Sequence, residues 1–288
     1  MSERLSALLS SGPPSPRRVV CLTEETTETL YRIGAGELVV GISGFTVRPP
    51  EARRKPKVSS FLDANFERIL ELKPDLVIGF SDLQAELGRE LCRRGVPVVL
   101  FNQRSVAEIL ETIAMTCGLV DRADEGERLC AELRQNLERR AEAAEAHPFR
   151  PRVFFEEWHD PLISGIRWCS ELLEIAGADD VCIETRASPL ARGRIFEPRV
   201  VAERDPQVIV ASWCGRKASR TKIVGRPGFE STAAVRDDQL YEVKSSVILQ
   251  PGPAALTDGL DQLARIVSAV ARGEKLPAPH PGDLRQAI

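Results

Sequence analysis

Apolar residues fall along this chain in short runs, separated by stretches of helical period. "RRVVCL" (17–22), "LVVGIS" (38–43), "PDLVIGF" (74–80) and "VPVVLF" (96–101) are runs of strand length. Between them lie "TEETTETLYRIG", with Thr and Glu at a helix start and Gly at its end, then "NFERILEL" (65–72) and "DLQAELGRELCRRG" (82–95). "SVAEILETIAMTCGL" (105–119) is an amphipathic helix, and "GFTVRPPEARRKPKVSS" (44–60) is a long Pro-containing loop. Strands alternating with helices predict a parallel sheet covered on both faces.

Residues 121–147 break the rhythm. "DRADEGERLCAELRQNLERRAEAAEAH" is an uninterrupted charged helix pattern, roughly 40 Å long at 1.5 Å per residue. Leu129, Leu133 and Leu137 fall on one stripe, so the helix suits the outside of a molecule, joining two lobes. The alternation then restarts: strand "RPRVFFEE", helix "RWCSELLEIAG", short strand "DDVCIE", helix "EPRVVAERDP", strands "QVIVAS" and "QLYEVK", and a long helix over 253–273. The tail "EKLPAPHPGDLRQAI" reads as loosely held. "NFERILELKPDLVIGF" (65–80) and "EPRVVAERDPQVIVAS" (197–212) echo each other, with Pro74 and Pro206 in register. The expected organisation is an α/β fold of two similar parallel-sheet lobes joined by one long backbone helix: an N-terminal lobe over 17–120, a connecting helix over 121–147, a C-terminal lobe over 148–273 and a Pro-rich tail over 274–288.

The 288 residues are 43% hydrophobic and 28% charged, enough to bury a core in each lobe. A net charge of −3 gives no basic field for nucleic acid or anionic lipid. No apolar run is long enough to span a membrane. The start "MSERLSALLSSGPPSPRRVV", helix-like over "SERLSALLSS", carries no signal-peptide core, so a cytoplasmic location is expected. Seven scattered cysteines without a CxxC pair read as reduced thiols.

Two α/β lobes on one long helix resemble the helical-backbone (class III) substrate-binding proteins of ABC importers, which take vitamin B12, haem or ferric siderophores. "RVVCLTEETTETLYRIGAGELVVGIS", "NFERILELKPDLVIGF", the 121–147 helix and "DPLISG…LLEIAGADDV" carry the resemblance over nearly all of 17–272. "CLTEETTETLYRIGAGELVVGISGFTVRPPEA" is similar to the corrinoid binders. The resemblance implies a ligand cleft between the lobes and a cobalamin-like corrinoid as ligand. It also implies a docking Glu on each lobe for a permease. Glu67 in "NFERI" fills one of these places, but Arg199 stands at the other, with Glu197 at a helix-cap position. A cation in place of a docking carboxylate sets like charges against each other, so permease docking is not expected.

Loops after strand carboxyl ends face the cleft in such a fold. Here the sequence places "EEWHDPLISGIRW", with Trp158, His159 and Trp168, and "SWCGRK", with Trp213 and Cys214. Thr23 and Glu24 follow the first strand; in the N-terminal lobe Phe45 follows "LVVGIS", Phe61 precedes the helix at 65, and Phe80 ends the strand "LVIGF" at the same loops. Gln250 and Pro251 form a rigid turn at a helix start. Only 5% of the chain is aromatic, yet all three Trp map to these loops. Flat faces suit a large planar ligand such as a tetrapyrrole. Each ring also has the plainer reading of plugging its own lobe's core.

His159 is a candidate axial ligand for a bound metal, or a loop His bonded to backbone or Asp160. Cys214 is a candidate soft ligand or a packing thiol. Glu156 and Glu157, adjacent on an extended chain, point opposite ways and do not form a dyad. The basic runs 53–57 and 216–222 are solvated loop charge, or a rim that meets acidic groups of a ligand. No Walker A, HExxH or GxSxG motif occurs. The expected function is carriage, storage or sensing of a corrinoid-like small molecule without catalysis. Two alternatives remain: an enzyme using His159, Asp160 and Glu156, and an importer component. The oligomeric state is not legible.

Overall fold

The computed structural model describes residues 15–280 and 282–287. The helix-like stretch at 2–11 lies outside them. Two compact units are present: one runs to Asn102 and takes in Ala114–Glu127, and the other comprises Gln103–Ile113 and Arg128 onward. The division passes through two helices, Val106–Leu119 and Ala123–Ala144.

The first unit holds β1 (Val19–Cys21), β2 (Val39–Ser43), β3 (Lys57–Ser59), β4 (Leu76–Phe80) and β5 (Val98–Phe101). They form a parallel sheet in the order β3-β2-β1-β4-β5. β1 and β4 are buried along their whole length, as strands covered on both faces must be. Val20, Leu22, Val77, Ile69 and Leu91 form one core cluster on this sheet. The helices are α1 (Glu24–Arg32), α2 (Phe66–Glu71) and α3 (Ala85–Arg93), followed by the shared α4 (Val106–Leu119) and α5 (Ala123–Ala144). The expected loop at 44–60 is partly ordered: a 3-10 turn spans Pro50–Arg54 and β3 follows it.

The second unit holds β6 (Arg152–His159), β7 (Leu162–Ser164), β8 (Asp179–Asp180), β9 (Val208–Ala211) and β10 (Leu240–Glu242). β10, β9 and β6 run parallel, and β8 pairs with the start of β6. β7 pairs antiparallel with the end of β6, a departure from the all-parallel expectation. The connection from His159 to Leu162 is only two residues, which permits a hairpin and forbids the crossover that a parallel pair needs. Helices α6 (Arg167–Ile175), α7 (Pro198–Glu203), α8 (Arg220–Val224), α9 (Ala233–Arg236), α10 (Ser245–Ile248) and α11 (Leu260–Ala271) complete it. Phe154 on β6 meets Phe229 edge-on, their centroids 6.5 Å apart, within a core that includes Ile209, Ile223 and Leu240.

The sequence echo is repeated in the backbone. β1-β4-β5 in one sheet matches β6-β9-β10 in the other. The residue before each registered proline pair, Lys73 and Asp205, has positive φ (46° and 44°), an unusual conformation for a residue with a side chain. The tail is not loose over 282–287. Arg285 pairs with Asp238 and exchanges backbone hydrogen bonds with β10, while Leu284 and Ala287 are buried. β10 is the outer strand of its sheet, and the tail occupies hydrogen-bonding groups that an edge would otherwise expose.

Candidate functional site

In the second unit the carboxyl ends of β6 and β9 carry a compact group of rings. The indole of Trp158 stacks on the His159 imidazole, with centroids 5.1 Å apart and planes 21° from parallel. His159 also meets Trp213, at 4.4 Å and 48°. Cations surround the rings. Arg216 lies 5.6 Å from the Trp158 centroid and Lys222 6.0 Å from that of Trp213. Lys222 Nζ also stands 3.5 Å from His159 Nε2. Partial burial lowers the His159 pKa, and Lys222 and Arg226 lower it further. The ring is therefore neutral at neutral pH.

Beneath the rings Glu156 is fully buried. Arg226 grips it with two hydrogen bonds of 2.6 Å, and the Trp213 indole N–H donates to the same carboxylate at 2.8 Å. Burial raises the Glu156 pKa, while the guanidinium fork and the indole oppose that rise. Trp213 is thereby fixed, and Arg226 also donates to the His159 carbonyl at 3.4 Å. Glu157 points the other way, as the extended chain requires, and meets the buried Arg194 at 2.7 and 3.0 Å.

The first unit presents a different face. The helix after β1 begins at Glu24, and Thr23 at its N-cap position is buried. The Thr23 hydroxyl donates to Glu25 Oε1 at 2.5 Å, and Glu25 Oε2 is buried without a partner. Burial pushes the Glu24 carboxyl up to about 7 and that of Glu25 to about 8. Phe45, Leu62 and Leu83 follow β2, β3 and β4, each with about half of its surface exposed.

The other expected positions divide. Phe61 is half-buried on the loop after β3, and its carbonyl accepts from Gln84. Phe80 ends β4, as the sequence places it, but it is buried, which fits the plainer reading of a ring in its own lobe's core. Trp168 is not on a loop. It lies in the first turn of α6, buried, with its indole donating to the Ile248 carbonyl at 2.9 Å. "EEWHDPLIS" is the β6–β7 hairpin rather than a loop. Cys214 is exposed beside Trp213. Gln250 is half-buried, and the Pro251 carbonyl is held by Gln103 at 3.1 Å. Asp160 is exposed and contributes its carbonyl to the Trp158 N–H. Among the described residues no group of three His, Cys, Asp or Glu is placed to hold a metal ion. Glu67 is exposed and paired with Arg94 at 2.7 Å, and Arg199 is exposed on α7.

Sequence reading missed Arg226, Arg194 and Glu25. The first two are single arginines in irregular segments, with no spacing to set them apart. Glu25 sits in a Thr- and Glu-rich helix start, where a solvated capping role is the ordinary one. A groove of about 1220 Å³ on the second unit, lined by Val106, Leu110, Arg134, Glu171 and Ile183 among others, includes none of the ring cluster, and no aromatic residue lines it.

Comparison with known proteins places the fold. A vitamin B12-binding protein of Pectobacterium atrosepticum is 26% identical over 219 residues, covering 74% of this chain and 77% of its own. The periplasmic vitamin B12 binding protein of Vibrio cholerae superposes with a TM-score of 0.71 at 23% identity, over 90% of this chain and 99% of its own. A periplasmic heme binding protein of Pseudomonas aeruginosa reaches 0.77 at 20% identity, over 95% and 99%. The periplasmic binding protein family matches residues 19–247, most of the described sequence, and the chain belongs to that family.

Proposed function

We propose that this protein binds a large planar metal chelate, a corrinoid first and a haem-like tetrapyrrole second. The Trp158–His159–Trp213 ring group carries the reading. The half-buried Trp158–His159 stack lies against Trp213, which is buried and fixed by Glu156, and so offers a pre-organised ring surface at little entropic cost. Relatives named for vitamin B12 and heme support the same ligand class. Arg216 and Lys222 beside the rings suit phosphate or carboxylate groups on such a ligand.

The reading is one of binding rather than catalysis. Both Glu156 oxygens are engaged by Arg226, which leaves no free base beside His159. His159 enters as a ring face; coordination of a metal by Nε2 would require Lys222 to move aside. A cytoplasmic location is part of the proposal, supported by seven cysteines outside any disulfide, two of them exposed, which suit a reducing compartment. Service without a permease is a further part. Arg199 opposes a docking cation, and Glu67 already has Arg94 as its partner.

Absorbance titration of the full chain with cyanocobalamin, dicyanocobinamide and haemin tests the ligand class. Saturable band shifts with at least one are expected. Their absence with all three would remove the reading.

A further inference from the structure

In the second unit the tail meets the stretch of chain that bears part of the ring cluster. The loop 212–219 runs from β9 to α8 and carries Trp213 and Arg216, while α8 carries Lys222. Three residues of this stretch are tied to the tail, directly or through one carboxylate. Lys217 Nζ meets Asp283 at 3.2 Å. The Ala218 N–H donates to Glu242 Oε1 at 2.7 Å, and the side-chain amide of Gln286 donates to Oε2 of the same group at 3.3 Å. Arg220 donates to Asp238 Oδ1, and Arg285 donates to Oδ2.

Covering the edge of β10 does not require these side chains. The backbone does that: the Arg285 N–H donates to the Leu240 carbonyl and the Glu242 N–H to the Arg285 carbonyl, each at 2.9 Å. Glu242 is 7% exposed, and among the described residues its carboxylate has no cation and no partner beyond Ala218 and Gln286. One oxygen depends on the loop and the other on the tail. Loss of either donor would leave a buried oxygen unsatisfied, which is costly. Asp238 is divided in the same way, between α8 and the tail. Lys217, Ala218 and Arg220 also lie between Arg216 and Lys222 in the chain. The tied stretch is therefore the one that sets Arg216 against the Trp158 ring and Lys222 against Trp213 and His159. Trp213 has a separate tie, to Glu156.

We propose that Asp283, Arg285 and Gln286 are positioning residues of the ring site: through Lys217, Ala218 and Arg220 they hold Arg216 and Lys222 beside the rings, ready for the acidic groups of a ligand. A loop ordered in advance spares binding the entropy of ordering it, so the strength of the clamp sets affinity without any contact between tail and ligand. The clamp deepens the proposed function and rests on it for the effect on affinity. Its hold on the loop stands apart from any ligand.

Two measurements test it. The first is hydrogen exchange in the ligand-free wild type. The amides of Ala218, Glu242 and Arg285 should exchange through one shared opening, as a cooperative unit does. An Ala218 amide that stays protected after Arg285 has exchanged would overturn the clamp. The second compares the wild type with the double variant Arg285→Met/Gln286→Leu of the full chain. Exchange at Ala218 should be about tenfold faster, and affinity for whichever of cyanocobalamin and haemin binds the wild type should fall about tenfold, as for one lost hydrogen bond. The His159 titration should also respond. Burial depresses it most, then Lys222 and Arg226; Asp160 opposes them and Arg216 adds a little. Release of Lys222 and Arg216 should move its NMR midpoint upward while Arg226 stays on Glu156. Leu133→Ala, a core truncation on α5, controls for stability: it should lower the thermal midpoint and leave the His159 midpoint and the affinity unchanged. Equal changes in both proteins, or a tail variant that keeps the wild-type midpoint and affinity, would overturn the clamp. If neither compound binds the wild type, the proposed function falls, and the exchange and His159 measurements still decide whether the tail holds the loop.

Discussion

Both units place two successive glutamates near the carboxyl end of matching strands, and the two pairs are held differently. Glu156 and Glu157 lie on β6, where alternate side chains leave opposite faces of the sheet. Each meets its own buried arginine, Arg226 or Arg194. Glu24 and Glu25 follow β1 in the first turn of a helix, and no cation acts on Glu25. In one unit the charge is compensated and serves as a foundation for the ring cluster. In the other, burial favours the uncharged acid. The same dipeptide thus becomes a scaffold on a strand and a proton-bearing group on a helix, and the difference comes from backbone geometry and the arginines within reach.

The comparison breaks most readily at Arg226. Arg226→Met strands the Glu156 charge, and removing one partner of a buried pair costs about 3–5 kcal/mol. A denaturant midpoint should fall accordingly, and Glu156→Gln added to Arg226→Met should recover part of the loss. Loss of only a few tenths of a kcal/mol would show that the pair is not the foundation assigned to it.

Glu25→Gln probes the other side, and the sign is opposite. The Glu25 carboxyl is raised from an ordinary 4.5 to about 8, so between those values the folded chain holds a proton that the unfolded chain has released. Stability therefore falls as pH rises through that window, and the penalty is fully present above it. The variant should gain nothing near the lower value and about 1–3 kcal/mol above the upper one. Glu24, raised to about 7, leaves a residual slope in the variant. Urea unfolding across the range checks this; identical pH slopes in both proteins would contradict it.

Trp158 sharpens the functional half of the comparison. It is half-buried and held between Arg216 and His159, whereas Trp213 is 3% exposed and bonded to Glu156. Trp158→Ala should weaken corrinoid binding by about 1–2 kcal/mol with little effect on folding. Trp213→Ala should lower stability as well, so a thermal melt separates the two. The smallest effect is expected at His159. Its NMR titration midpoint should lie below the ordinary 6.5, and Lys222→Met should move it upward without restoring that value, because burial is the larger cause.

The fold was largely legible because both lobes repeat one unit. Pro74 and Pro206 announce it, and β4 and β9 follow them in the same register. The β7 hairpin was not, because "DPLIS" has turn residues and only three strand residues. Trp168 stood both at the end of the loop and inside the helix "RWCSELLEIAG", and α6, starting at Arg167, puts it in the helix. The convergence of Trp158, His159 and Trp213 was readable from rarity and position, but Trp213 packs in its lobe's core, the plainer of the two readings given for it. The support of the cluster was not readable, since the pairing of Glu156 with Arg226 joins residues 70 apart and leaves no local pattern. The tail misled for a similar reason. A Pro-rich composition suggests looseness, but Arg285 finds Asp238 across 47 residues.

The central claim is that the fixed indole–imidazole face binds a planar metal chelate. Calorimetric titration of the full chain with dicyanocobinamide and haemin, run beside Trp158→Ala, tests it most directly. The account predicts saturable binding of dicyanocobinamide, weaker binding of haemin, and a loss of affinity in the variant. No heat with either compound, or equal affinity in the folded variant, would contradict it.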